Sequence, residues 1–258
     1  MFLKLCKNEL KSSYRSFLVL YAILLISALL LDGNSEGMFA IIMIFTYSVG
    51  FLVLCIMYMV TLIRNYHISM FSRNAYLTHT LPVSSTQLLL SKTVCAAFWY
   101  VISSIAFIIS IIIVTMRLLN FDWSALIDAF SLMTDNGAVV NALLSLTEMI
   151  FSAIEFVLLI FLVMNAVHTK YVRKFRFVIA IILYIIIYLI VDFVFNNLLT
   201  SLFDIPSIES FFVSLTLHVN ASSKGMQVIL YSIVKSIILS ILYFLGSRYI
   251  LDYKMEIE

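Results

Sequence analysis

Six long apolar runs decide what this chain can fold into. They cover residues 17–31, 38–63, 93–116, 149–167, 177–195 and 226–247. A helix needs about 20 apolar residues to cross the hydrocarbon of a bilayer. Most of the runs reach that length, and the first borrows flanking residues. They are continuous and do not alternate at period two, which argues against a membrane β-barrel. The fold class read from them is an all-α membrane protein with six transmembrane helices. Composition agrees, since only 12% of the 258 residues are charged, against about a quarter in a soluble domain. Residues 1–258 read as a single transmembrane domain, with no soluble domain and no internal repeat beyond the shared hydropathy of its halves.

Lysine and arginine set the expected orientation. Thirteen of them, from Lys4 to Lys254, fall on one set of connections, whereas Arg117 and Lys224 alone fall on the other. Cytoplasmic loops carry such an excess, so both termini are expected in the cytoplasm and the chain in the cell membrane. Asp32, Glu36, Asp122, Asp128, Asp135, Asp204 and Glu209 fall on the opposite side. A net charge of only +2 gives no reason to expect a nucleic-acid partner.

The segments outside the runs have character of their own. In residues 2–16, at 100° per residue, Phe2, Leu3, Cys6, Leu10, Tyr14 and Phe17 gather on one side, and Lys4, Lys7, Lys11 and Arg15 on the other. Such a basic amphipathic helix suits the headgroup layer, so residues 1–16 are expected to form an N-terminal interfacial helix. The alternative is a signal-peptide n-region followed by an h-region at 17–31, with no clear small-residue cleavage site after it. The connections 117–148 and 196–225 mix acids with many aromatic and aliphatic residues, and both read as amphipathic segments resting on the membrane.

The chemistry that is missing narrows the function. With six glycines and no G-x-x-x-x-G-K-[ST] stretch, the chain has no phosphate-binding loop. His67, His79, His168 and His218 are scattered over different connections, with no C-x-x-C or H-E-x-x-H, so no metal or other cofactor site is expected. Cys6, Cys55 and Cys95 read as small apolar residues. Charges inside the runs carry more meaning, because each is expensive in hydrocarbon and tends to be paired or functional. Glu155 lies eight residues into the fourth span counted from Thr147, and Lys235 nine into the sixth. That matched depth predicts an intramembrane ion pair between helices four and six. Glu148 and Glu155 share a helix face, yet no histidine accompanies them at membrane depth as an intramembrane protease would need. No catalytic residue is expected in the chain.

The connection at 66–92 is polar and aromatic where everything near it is apolar. After Leu81-Pro82-Val83, Ser84 reads as an N-cap and Gln87 as its N3 partner, so a new helix should start there and run into the third span. Residues 69–80 read as a short helix presenting Phe71, Arg73, Tyr76 and His79. The wording from Tyr76 to Ser84 (Tyr-Leu-Thr-His-Thr-Leu-Pro-Val-Ser), then Leu88 to Lys92, resembles small bacterial permease subunits of type-2 ABC transporters, the ABC-2 family. The order of parts is also similar: an N-terminal interfacial helix, six spans, and a membrane-associated segment between helices five and six, as in type V exporters.

What the resemblance implies is a permease that works as a dimer, with a second copy or a homologous permease. ATP and Mg would be bound by a separate ABC ATPase (nucleotide-binding) subunit, and the cargo would be a drug, peptide or lipid-like molecule. The residues implied for ATPase docking are Phe71, Arg73, Tyr76, His79 and Leu81, with Lys7, Lys11 and Arg15 anchoring the interfacial helix. The alternatives are a transporter or channel working without an ATPase, or a membrane scaffold.

Overall fold

In a computed structural model, residues 2–30, 38–71, 85–119, 138–169, 175–203 and 223–253 are described. They form six helices: α1 (Phe2–Leu30), α2 (Met38–Met70), α3 (Ser85–Leu119), α4 (Ala138–Val167), α5 (Arg176–Phe203) and α6 (Ser223–Tyr253). Each contains a stretch long and apolar enough to cross a membrane. Both prolines, Pro82 and Pro206, fall outside the described helices, as suits a residue that lacks the amide donor and clashes with the preceding turn.

The helices run past the apolar runs in informative places. α1 is one unbroken helix of 29 residues, about 43 Å long at 1.5 Å per residue. The entry stretch expected at 1–16 and the first span are thus joined, since residues 2–16 run into the span without a break. α2 continues to Met70, so the first residues of the 66–92 connection are helical. α3 opens at Ser85, directly after the expected cap at Ser84, which itself lies outside the described residues. α4 begins at Ala138 and takes in the last part of the expected 117–148 segment, while α5 runs on to Phe203.

Contacts divide the chain into two compact units, Met1–Ala129 and Phe130–Glu258. In the first, α1 is the hub and packs on both α3 and α2. Its buried stripe is Ser13, Phe17, Tyr21, Leu24, Ser27 and Ala28, recurring every three or four residues, as a helix seam requires. Phe17 stacks on Trp99 at 4.6 Å between ring centroids, and Phe51 of α2 stacks on Phe107 of α3 at 4.1 Å. Such pairs add about 0.5–1.5 kcal/mol each beyond the area they bury.

In the second unit α4 is the hub, packing most extensively on α6 and less on α5. α6 turns Ser236, Leu239, Ser240, Tyr243 and Ser247 inward. Small residues let membrane helices approach closely, and Gly246 marks the tightest point. A methyl group added there would come within 2.8 Å of Leu162 Cδ1 on α4. Leu158, Leu159, Val163, Leu239 and Tyr243 form the core of this unit, with Leu183, Tyr184 and Ile187 of α5 packed against it. Among the described residues, each unit is thus a three-helix group built around its first helix.

Candidate functional site

The N-terminal segment and the start of α3 meet through polar contacts that the sequence alone did not single out. Lys92 Nζ donates to Glu9 Oε1 at 2.7 Å, with the lysine side chain 4% exposed and the glutamate 29%. Cys6 Sγ lies 3.8 Å from the Ser91 carbonyl oxygen, and Cys95 Sγ lies 3.5 Å from the Cys6 carbonyl oxygen. The side of α1 expected to rest on headgroups is therefore occupied in part by α3. On α2, Asn65 Nδ2 donates to Ser13 Oγ at 2.7 Å. One end of the first unit is braced across all three of its helices.

Further along, the same seam is held by tyrosines paired with small polar groups. The Tyr21 and Ser103 hydroxyls share a hydrogen bond of 2.7 Å, as do those of Tyr47 and Ser110 at 2.8 Å. Tyr58 donates to the Ala96 carbonyl at 3.2 Å. These pairs help keep α1, α2 and α3 in one register.

Of the five expected docking residues, only Phe71 lies among the described residues. Its amide donates to the His67 carbonyl at 2.9 Å, and its half-buried ring meets Tyr66 edge-on at 6.0 Å. Arg73, Tyr76, His79 and Leu81 lie outside the described residues. Lys7, Lys11 and Arg15 are exposed, and Arg15 Nε donates to the Tyr14 hydroxyl at 3.1 Å. They share the side of α1 that turns away from Ser13 and Phe17.

The expected ion pair between Glu155 and Lys235 is not formed: no contact of 4.0 Å or less joins them. The reason is register. Leu162 of α4 faces Gly246 of α6, and these lie seven residues beyond Glu155 and eleven beyond Lys235, so the two charges are offset by about 6 Å along the helices. Tyr184 of α5 and Tyr243 of α6 pack in the core formed with Leu158 and Leu159 of α4. The Lys235 ammonium sits 5.8 Å from the centre of the Phe195 ring on α5, and Tyr231 donates to the Phe195 carbonyl at 2.6 Å.

Sequence reasoning missed Glu9, although a signal was there: it is the sole acid before Asp32. It also missed the tyrosine and serine partners, which sit inside apolar runs at helical spacing. Among the described residues, no group of three or more His, Cys, Asp or Glu is arranged to hold a metal ion.

The fold and this arrangement define a multi-pass helical membrane protein. Compared with protein-family models, curated proteins and solved structures, the chain matches none.

Proposed function

We propose that the chain is the membrane-spanning permease subunit of an ATP-driven ABC exporter of the ABC-2 type. A separate nucleotide-binding subunit hydrolyses ATP, and a second permease copy or a homologue completes the transporter. The cargo is a drug, peptide or lipid-like molecule, moved across or out of the cytoplasmic membrane, and both termini are cytoplasmic.

The observation that carries this reading is the Lys92–Glu9 joint. α3 follows directly on the connection at 72–84, and the joint ties its first turns to the N-terminal third of α1. A push on that connection, or on the exposed face of Lys7, Lys11 and Arg15, reaches two helices braced as one. Rigid elements with fixed contacts transmit displacement without dissipating it in side-chain rearrangement. A subunit driven by an external ATPase needs such a junction at the side where the ATPase binds.

The reading is tested at the connection itself. Arg73→Ala combined with Tyr76→Ala leaves insertion of the chain intact and uncouples ATP hydrolysis from transport by the assembled complex. Efflux equal to wild type in that double variant counts against docking at this connection.

A further inference from the structure

We propose that Cys6 and Cys95 are a dithiol pair that closes to a reversible disulfide, fastening the start of α1 to α3 beside the Glu9–Lys92 contact.

The two residues meet across a separation of 89 in the chain. Cys95 Sγ lies 3.5 Å from the Cys6 carbonyl oxygen. Cys6 Sγ lies 3.8 Å from the carbonyl oxygen of Ser91, which in an unbroken helix is the acceptor of the Cys95 amide. Each sulfur therefore stands against backbone that belongs to the other cysteine or is hydrogen-bonded to it. The two thiols are hydrogen-bond neighbours as well. Sulfurs so placed have a short path to the disulfide bond length of about 2.05 Å, and rotation about χ1 supplies it. Cys55, by contrast, lies exposed on α2 within its membrane-spanning stretch.

Unequal exposure sets the order of the chemistry. Cys6 is half-buried near the start of α1, ahead of the stretch that spans the membrane, with exposed Lys7 beside it. Cys95 is 6% exposed and closed to a water-borne reagent. The Cys6 sulfur, as thiolate, attacks a low-molecular-weight disulfide and leaves a mixed disulfide on Cys6, and the released thiolate takes up the Cys6 proton. The Cys95 sulfur then attacks Cys6 Sγ and expels the second small thiolate, which takes up the Cys95 proton. Two protein thiols are oxidised, and one small disulfide is reduced to two thiols.

The new bond sits about one helical turn from Glu9 and ties the same two segments as the ion pair. An ion pair parts and re-forms, whereas the covalent bond holds until it is reduced. In the proposed orientation this end of the first unit is cytoplasmic, where disulfides are transient and redox-sensing. That placement alone rests on the proposed function.

The test is a thiol count on the full chain in nanodiscs after exposure to oxidised glutathione, by denaturation, alkylation and mass measurement. The wild type goes from three free thiols to Cys55 alone, the peptides of Cys6 and Cys95 are recovered joined, and dithiothreitol restores the starting count. Cys95→Ser stops at a glutathione adduct on Cys6, and Cys6→Ser keeps both of its thiols free. Fastening is read in the same samples. Oxidation raises the SDS fraction at which half the wild type unfolds and leaves both variants unmoved, as a cross-link that restricts the unfolded chain requires. A wild type that keeps all its thiols, an adduct on wild-type Cys6 that never closes, or a bond to Cys55 or to a second chain overturns the pair. An unmoved unfolding midpoint in the oxidised wild type overturns the fastening. Each result is read without an ATPase, so the proposal fails or holds separately from the exporter reading.

Discussion

Replacing Glu9 should destabilise the first unit more than replacing Lys92, although the two form one ion pair. The asymmetry comes from exposure. The Lys92 side chain is 4% exposed, whereas that of Glu9 is 29% exposed. Glu9→Gln leaves an enclosed ammonium with no anion, and stranding a buried charge costs about 3–5 kcal/mol. Partial opening toward Glu9 places the value near the lower end, about 3 kcal/mol. Lys92→Met keeps the apolar stem volume and leaves a carboxylate that water can reach, so its cost should approach the ~1 kcal/mol of an exposed pair. The double variant Glu9→Gln, Lys92→Met has no charge to strand and should cost about as much as Lys92→Met alone. A coupling energy of about 3 kcal/mol then emerges from the cycle. Equilibrium unfolding of the full chain in mixed micelles reads all four stabilities. Equal costs for the two single variants, or a double variant whose cost is the sum of the singles, would refute the reasoning and reduce the pair to a surface contact.

Three further outcomes follow from the packing. Gly246→Leu should destabilise the second unit by about 1–3 kcal/mol, the usual cost of overpacking, because Leu162 already stands 2.8 Å from where a Cβ would lie; unfolding in micelles reads it, and unchanged stability would contradict the close approach of α4 and α6. Cysteines substituted at 162 and 246 should cross-link under copper phenanthroline, while those at 155 and 235 should not; the reverse pattern would restore the ion pair that the register denies. In a Tyr21→Phe, Ser103→Ala cycle the coupling should be about 0.6 kcal/mol, the average for side-chain hydrogen bonds between membrane helices, and zero coupling would mean that the 2.7 Å contact contributes nothing to stability.

Much of the fold was legible because apolar runs of spanning length leave the chain few options. Six runs gave six described helices, each with a stretch long and apolar enough to cross a membrane. Helix ends were less legible. Hydropathy reports where the lipid is, whereas a helix ends where the backbone is broken, so α2 ran on to Met70. The match between Glu155 and Lys235 failed by about one turn, because Leu162 faces Gly246 and each turn moves a side chain about 5.4 Å along the helix. The junction at Glu9 and Lys92 was hidden for a different reason. Its partners are 83 residues apart in the chain, and no local pattern announces a contact between separate helices. The residues of the 72–84 connection that the ABC-2 resemblance points to lie outside the described residues, so that part of the reading still rests on sequence.

The most direct measurement for the exporter reading is affinity purification of the tagged chain from its native membrane under mild detergent. The account predicts a stoichiometric partner of about 25–35 kDa, the size of an ordinary soluble domain, carrying a phosphate-binding loop and hydrolysing ATP in the complex. That ATPase activity should no longer drive transport when the partner is assembled with Arg73→Ala, Tyr76→Ala. Reproducible recovery of the intact chain with no such ATPase would contradict the account.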